Sequence, residues 1–273
     1  MESSNNYKNI WDKYVTDDFP RIKDDTPFAL KSLADWRVLN RKDLHYEWPG
    51  DEWGDMNTVK NLFEEAVVNN YKGQVNNICE IGSGSGRYTN IAFDFYPNSN
   101  IQSYDVSSEF ESQLRKRFSN FILSEQLKTF EITADPFGIF KNNKKLDLIG
   151  EIDIIYSFDA MVHVDLHTLF IYWLNSTLLL RKNGLLAMNV GDACSYRGFE
   201  KLVHDANTVF RRQGNAGSHF MWISKEIVVS ILTRLGFETT FHPGNGRDLA
   251  FSAILKYPEK GKAIVNMIGP KNL

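Results

Sequence analysis

From residue 75 onward, the chain alternates between two kinds of segment. Short runs rich in β-branched and other apolar residues are each followed by a longer amphipathic stretch. This alternation indicates β-α-β units, in which consecutive strands lie parallel in one sheet and helices cover its faces. We place strands at 76–81, 100–105, 129–134, 153–158, 185–190, 237–242 and 249–256.

The last two predicted strands are joined only by H-P-G-N-G-R-D, which is too short for a helical crossover. They should pair antiparallel, so the sequence predicts an α/β fold with a mostly parallel sheet that ends in a hairpin. Capping residues mark two helices. One is predicted over 165–182, between Asp165 and Gly184, and the other runs from Ser224 to Gly236.

The first 74 residues differ from the rest because they contain few strand signals and one amphipathic helix, predicted at 58–71. We therefore predict an N-terminal helical cap over residues 1–74 and an α/β domain over residues 75–273. Much of the chain's tryptophan lies in the cap, at Trp11, Trp36, Trp48 and Trp53.

Composition limits the class of partner. The net charge of -3 over 273 residues gives no global basic field, which argues against nucleic acid as the main partner. Cys79 and Cys194 are too few for a disulfide framework or a zinc site. The N-terminus lacks the apolar core of a signal peptide, and no apolar run approaches the ~18 residues of a membrane span. We therefore expect a soluble, cytoplasmic protein without a membrane span.

Three glycines follow the first predicted strand, in I-C-E-I-G-S-G-S-G-R. A backbone without Cβ atoms can turn tightly there and approach a ligand closely. A dinucleotide-binding motif needs G-x-G-x-x-G, but Arg87 occupies the position of its third glycine. A P-loop needs Lys followed by Ser or Thr, and neither follows these glycines. The spacing therefore disfavours both diphosphate-binding motifs.

Acidic residues stand at the ends of three successive predicted strands, at Glu80, Asp105 and Asp135. Because neighbouring parallel strands end at the same edge of a sheet, we expect Glu80 and Asp105 to point into one crevice. Carboxylates in that position suit a cationic ligand, and Asp105 lies where an acid binds ribose hydroxyls in related folds.

The acid, one apolar residue and G-x-G-x-G together resemble the first motif of class I S-adenosylmethionine-dependent methyltransferases. The segments Y-S-F-D-A-M-V-H-V-D (156–165) and K-N-G-L-L (182–186) resemble a bacterial group associated with sugars, polyketides and surface polysaccharides, although Asn183 replaces that group's proline. The segment Y-E-W-P-G-D-E-W-G-D (46–55) is similar to an N-terminal feature of some members. The resemblance covers residues 75–256.

The resemblance implies a Rossmann-like sheet of seven strands in the order 3-2-1-4-5-7-6 and S-adenosyl-L-methionine as the cofactor. In that family, an acid or amide after the third strand holds the adenine amino group, which is the role implied for Asp135. No metal is expected. The cofactor-binding residues predicted from the motifs are Glu80, Gly82, Ser83, Gly84, Gly86, Arg87, Asp105, Val106, Ala134, Asp135 and Phe158.

Methyl transfer to an alcohol requires a general base. His163 is the first candidate, because it follows the fourth strand at the ligand-binding edge and imidazole titrates near neutral pH. It could instead contact the methionine moiety or orient the loop. Asp159 is expected to bind substrate or to hold the His163 tautomer. His219, in a glycine-containing loop, is the second candidate base.

The leading hypothesis is methyl transfer to a small polar acceptor, such as a hydroxyl of a sugar, of a nucleotide-linked precursor or of a capsule or surface-polysaccharide precursor. An N-methyltransferase or a natural-product O-methyltransferase of the same fold is the alternative. Outside that class stand an NAD-dependent oxidoreductase, which Arg87 and Glu80 disfavour, and a non-catalytic binding module. A nucleic-acid methyltransferase is disfavoured, since F-D-A-M replaces an N-P-P-Y-like tetrad. The acceptor and the oligomeric state, monomer or homodimer, stay open.

Overall fold

The computed structural model describes residues 2–20, 46–132, 135, 137–210, 219–244 and 246–268. Its centre is a seven-stranded sheet in the order β3-β2-β1-β4-β5-β7-β6. β5 and β7 pair antiparallel, as do β7 and β6, and the other pairs are parallel. This confirms the predicted fold and strand order. The strands are β1 Asn77–Ile81, β2 Asn100–Asp105, β3 Leu127–Glu131, β4 Ile152–Ser157, β5 Leu180–Gly191, β6 Phe237–His242 and β7 Asp248–Leu255.

Helices cover both faces of the sheet. Two of them, α1 and α2, continue into π-helical turns at Tyr14–Asp18 and Glu64–Val68, and short 3₁₀ turns lie at Asp51–Trp53 and Met161–His163. The helices are α1 Glu2–Lys13, α2 Met56–Phe63, α3 Arg87–Phe95, α4 Ser108–Arg117, α5 Ser119–Leu123, α6 Gly138–Lys145, α7 Leu166–Leu179, α8 Tyr196–Phe210, α9 Lys225–Arg234 and α10 Pro258–Ile268.

The predicted helix starts are confirmed by hydrogen bonds. The Asp165 carboxylate accepts from the backbone N–H groups of His167 and Thr168 at 3.0 and 3.2 Å, and the Ser224 hydroxyl accepts from Ile227 N–H at 3.5 Å. The end predicted near 182 is wrong. α7 stops at Leu179, and β5 begins at once with Leu180 paired to Ile152.

The chain around K-N-G is an irregularity within β5 rather than a helix end. The pairing register between β4 and β5 shifts there, and Asn183 adopts a left-handed backbone conformation with φ 64°. Asparagine tolerates this conformation better than most residues. Asn183, and not the predicted Gly184, therefore provides the backbone turn.

Two apolar clusters pack against the sheet. One contains Trp173 of α7 and Leu232 of α9, and the other contains Phe63 of α2 and Ile91 of α3. Successive strand residues point to opposite faces. Burial of both faces is the main favourable contribution to folding.

The predicted division between cap and α/β domain near residue 74 stays a prediction. The predicted helix at 58–71 corresponds to α2 and its π-helical turn, where Phe63 packs edge-on against Tyr156 of β4 with ring centroids 5.2 Å apart. Residues 21–45, which include Trp36, lie outside the described residues. Within the described ranges, no helix is both long and apolar enough to cross a bilayer.

Candidate active site

A cleft opens at the C-terminal ends of β1, β2 and β4. It encloses about 1110 Å³, part of it open to solvent. Its walls come from the glycine turn after β1, the segments after β2 and β4, the first turns of α7, and two pieces of the N-terminal region. The residues that line it include Tyr7, Trp11, Gly50, Trp53, Gly82, Ser83, Gly84, Arg87, Asp105, Val106, Phe110, Phe158, Asp159, His163, Thr168 and Tyr172.

The glycine turn has the backbone shape that its sequence predicts. Gly82, Gly84 and Gly86 have φ values of 76°, 55° and 92°, a region that favours glycine. Gly82 N–H donates to the Tyr104 carbonyl at 2.7 Å, which ties the turn to the end of β2. A Cβ on Gly82 would lie 2.3 Å from Ala160 Cβ, whereas one on Gly84 would meet only Phe110, at 3.8 Å. Gly84 is therefore the place where a ligand can approach the backbone.

Asp105 holds this turn and faces the cleft. Its carboxylate accepts from Gly84 N–H at 2.8 Å and from Ser107 N–H at 2.9 Å. Burial raises the pKa of Asp105 to about 6, and the two N–H donors act in the opposite direction. Each carboxylate oxygen keeps a further acceptor site, so Asp105 can also accept from ligand hydroxyls.

Glu80 does not share the crevice with Asp105, and that prediction is wrong. Its carboxylate lies in the core, where Thr89 Oγ1 of α3 donates to it at 2.5 Å. Alternation along β1 explains this placement, because Glu80 points to the opposite face from Ile81, which lines the cleft. Burial raises the pKa of Glu80 to about 7.

Gly86 and Asp135 also lie away from the described cleft lining. A Cβ on Gly86 would stand 2.4 Å from Phe118 and 2.5 Å from Leu114, so this glycine allows α3 and α4 to pack closely. Asp135 accepts from Phe137 N–H at 2.9 Å and from Lys141 Nζ at 2.7 Å. Ala134 lies outside the described residues.

Arg87 and Asp159 form an ion pair in the cleft wall. Arg87 is only 6% exposed. Asp159 has a left-handed backbone with φ 62°, and its N–H donates to Asn189 Oδ1 of β5 at 2.8 Å. The Asp159 carboxylate therefore binds Arg87 and does not hold the His163 tautomer, which corrects that part of the prediction.

His163 is oriented by a carbonyl group. Its Nδ1 lies 3.0 Å from the backbone oxygen of His219. A carbonyl oxygen can only accept, so Nδ1 carries the proton and Nε2 of the neutral ring is left as the acceptor. Burial lowers the pKa of His163, and nearby Lys201 and Arg247 act in the same direction. The ring is therefore neutral at pH 7 and able to take a proton, while His219 contributes its carbonyl to this arrangement.

An aromatic wall lies beside His163, and sequence reasoning missed two of its members, Trp11 and Phe110. The ring of Trp11, from α1, lies 5.4 Å from the His163 ring and 5.7 Å from Trp53. Phe110 of α4 lies 6.0 Å from Trp53. The only signal in the sequence was the tryptophan content of the first 74 residues. Asn189 was also missed, and nothing in its sequence context indicates its contact with Asp159.

Solved structures with the same architecture include several methyltransferases. An O-methyltransferase family protein from Burkholderia thailandensis superposes with a TM-score of 0.55 and 13% identity, over 73% of this chain and 56% of its own. A SAM-dependent methyltransferase from Archaeoglobus fulgidus gives 0.54 and 13%, over 74% and 95%. Geranyl diphosphate C-methyltransferase from Streptomyces coelicolor A3(2), solved with Mg²⁺, geranyl diphosphate and S-adenosyl-L-homocysteine, gives 0.51 and 12%, over 74% and 79%.

These likenesses show the fold, which is that of class I methyltransferases. This chain spans little more than half of the Burkholderia protein, 56% of its length. No protein-family model and no curated protein matches the sequence. Across the described part of the chain, no group of three or more His, Cys, Asp or Glu side chains is placed to hold a metal ion.

Proposed function

We propose that the protein is an S-adenosylmethionine-dependent methyltransferase. The observation that carries this proposal is that one cleft brings together the open backbone at Gly84, the Asp105 carboxylate and a neutral His163. These groups belong to three different strand ends, and each supplies something that methyl transfer from this cofactor needs.

The described residues fit the cofactor. Backbone without a side chain at Gly84 admits close approach, and Asp105 offers acceptor sites for the ribose hydroxyls. Val106 and Phe158 give the cleft an apolar surface against which the adenine ring of the cofactor can pack. When bound, the cofactor supplies an electrophilic methyl group on a positively charged sulfur.

His163 would serve as the general base. Its neutral ring presents Nε2 as a proton acceptor, so it can take the proton of an acceptor hydroxyl as that oxygen is methylated. Trp11 and Trp53 line this part of the cleft, and their rings lie 5.7 Å apart. Positioning of the acceptor against the methyl group would supply much of the rate enhancement, up to about 7–11 kcal/mol in ideal cases.

We propose a small polar acceptor, with a hydroxyl of a sugar or of a surface-polysaccharide or nucleotide-linked precursor as the first choice. Support comes from the resemblance of residues 156–165 and 182–186 to sugar-associated methyltransferases. Flat indole rings beside an Arg–Asp pair also suit the apolar face and the hydroxyls of a sugar. An N-methyltransferase or a natural-product O-methyltransferase would use the same cofactor site.

Isothermal titration with S-adenosylhomocysteine tests the proposal. We expect micromolar binding, and we expect Asp105→Ala to weaken it at least tenfold, because the Gly84 turn loses its charged anchor. Gly84→Val should do the same, since a β-branched residue is strained at a φ of 55°.

Asp135→Ala is the matched control, because this acid follows the neighbouring strand β3 but binds Lys141 outside the described cleft lining. The variant should bind S-adenosylhomocysteine with the affinity of the wild type. Titration with NADH separates the competing class of enzyme. Tight NADH binding without binding of S-adenosylhomocysteine would replace the methyltransferase with an oxidoreductase.

A further inference from the structure

Two buried polar atoms near the glycine turn have no hydrogen-bond partner among the described residues. One belongs to a cationic side chain and the other to an acidic one. One is Nη1 of Arg87, whose Nη2 already pairs with Asp159. The other is Oε1 of Glu52, whose Oε2 accepts from Gly50 N–H at 2.8 Å. Arg87 is more than nine-tenths buried and lines the cleft.

The cap segment, defined as residues 46–55, is fastened to the glycine turn. Ser85 Oγ donates to the Pro49 carbonyl at 2.7 Å, and Arg117 Nη1 donates to Asp51 Oδ1 at 3.0 Å. Gly50 and Trp53, on either side of Glu52, both line the cleft. The cap segment is therefore part of the cleft wall at the glycine turn.

Arg87 and Glu52 lie close enough to influence each other across this wall. A Cβ on Gly54 would be 3.2 Å from Arg87 Nη1, so the guanidinium lies against the cap segment. Burial raises the pKa of Glu52 to about 7, and Arg87 acts in the opposite direction. A cation bound at Oε1 would likewise favour the ionised carboxylate.

Buried polar atoms in folded proteins are almost always paired. An unpaired guanidinium N–H on a residue of the cleft wall, and an unpaired carboxylate oxygen on a residue that lies between the wall residues Gly50 and Trp53, therefore point to a ligand. A guanidinium N–H suits a carboxylate, and a carboxylate oxygen suits an ammonium group. The ligand that matches both is a zwitterionic α-amino acid, which is one end of S-adenosylmethionine.

We propose that Arg87 Nη1 binds the α-carboxylate and Glu52 Oε1 the α-ammonium group of the cofactor's methionyl end. The cap segment is then a structural part of the cofactor site and not only a cover for the acceptor. This inference rests on the proposed function and adds to it a residue, Glu52, that the glycine motif does not include.

Titration with two ligands isolates this subsite. S-adenosylhomocysteine carries the amino-acid end, whereas 5′-methylthioadenosine has the same adenosine and a thioether but no amino-acid end. We expect Glu52→Gln and Arg87→Gln each to weaken S-adenosylhomocysteine about tenfold or more and to leave methylthioadenosine within about twofold. Glu47→Gln is the matched control, because Glu47 is an exposed carboxylate in the same segment.

Retained binding of methylthioadenosine shows that a variant is folded, and Glu52→Asp provides a second, milder change at the same site. Variants that weaken both ligands equally, or neither, overturn the inference while the methyltransferase proposal stands. A wild-type protein that binds neither ligand overturns the proposed function itself, and this inference falls with it.

Discussion

At the scale of single residues, substitution of Gly86 should lower stability, because this glycine lies outside the cleft lining and packs against two side chains of the core. A Cβ there meets Phe118 and Leu114 at 2.4 and 2.5 Å, and the backbone has φ 92°. We expect Gly86→Ala to lower the free energy of unfolding by about 3 kcal/mol through backbone strain and overpacking. Urea denaturation measures the change.

Gly150→Ala is the control for that substitution. Gly150 has a similar φ of 73°, but a Cβ there would meet nothing within 4 Å. Gly150→Ala should therefore lower the free energy of unfolding by about 1 kcal/mol, through backbone strain alone. Equal losses at the two positions would contradict the packing role assigned to Gly86.

Residue types and their spacing predicted which strand ends form the site. They did not predict which way every side chain points. The glycine spacing and the strand-end positions placed Gly84, Asp105 and His163 in one cleft. Glu80 satisfied the same motif, yet strand alternation turns it into the core. The adenine role of Asp135 stays a prediction, and the local sequence does not indicate that Lys141 of the following helix pairs with this acid.

At the scale of elements, the strands were predicted to within a few residues because their apolar runs are distinct. The exception is the start of β5. Residues 180–184 continue the pattern of α7 and end in an N-G pair that normally follows a helix. Pairing of Leu180 with Ile152 overrides this local preference. Such a contact between distant segments cannot be read from local sequence.

Helix α1 is docked over the cleft by one side chain and one backbone N–H group at the start of α4. The Asp12 carboxylate accepts from Ser107 Oγ at 2.6 Å and from Glu109 N–H at 3.3 Å. Loss of a hydrogen bond to a charged group is worth about 1.5–3 kcal/mol. We therefore expect Asp12→Ala to accelerate amide hydrogen exchange in residues 2–20 by roughly tenfold or more, as measured by mass spectrometry.

Asp17→Ala is the matched control for this prediction, because Asp17 lies on the same helical segment and is exposed. Its exchange should match that of the wild type, and the core strands should be unchanged in both variants. Unaltered exchange of residues 2–20 in Asp12→Ala would show that α1 is held instead by its aromatic contacts and by the contacts of Lys8 with Glu131 and Ser108.

At the scale of the whole molecule, the cleft is completed by contacts between distant parts of the chain. Ser85 binds Pro49, Arg117 binds Asp51, and Lys8 Nζ pairs with Glu131 of β3 at 2.9 Å. No periodicity marks these partners, which explains why the sequence predicted a cap but not its part in the cleft wall. The aromatic wall beside His163 depends on the same contacts.

Stability of the molecule should carry a pH dependence that originates at Glu80. Its pKa is about 7 in the folded protein against an ordinary value of 4.5, because burial disfavours the charged form. The folded state therefore binds this proton more tightly than the unfolded state does. The free energy of unfolding should fall as pH rises from about 4.5 to 7, by roughly 3 kcal/mol from this group.

Glu80→Gln removes the titration and keeps the shape of the protonated side chain. Relative to wild type, we expect this variant to gain about 3 kcal/mol between pH 5 and pH 8, as measured by chemical denaturation at each pH. Glu238→Gln on β6 makes the same change at an exposed carboxylate and serves as the surface control. If the difference in free energy of unfolding between Glu80→Gln and wild type does not change with pH, burial does not raise the pKa of Glu80. The placement of Glu80 in the core, away from Asp105, would then be wrong.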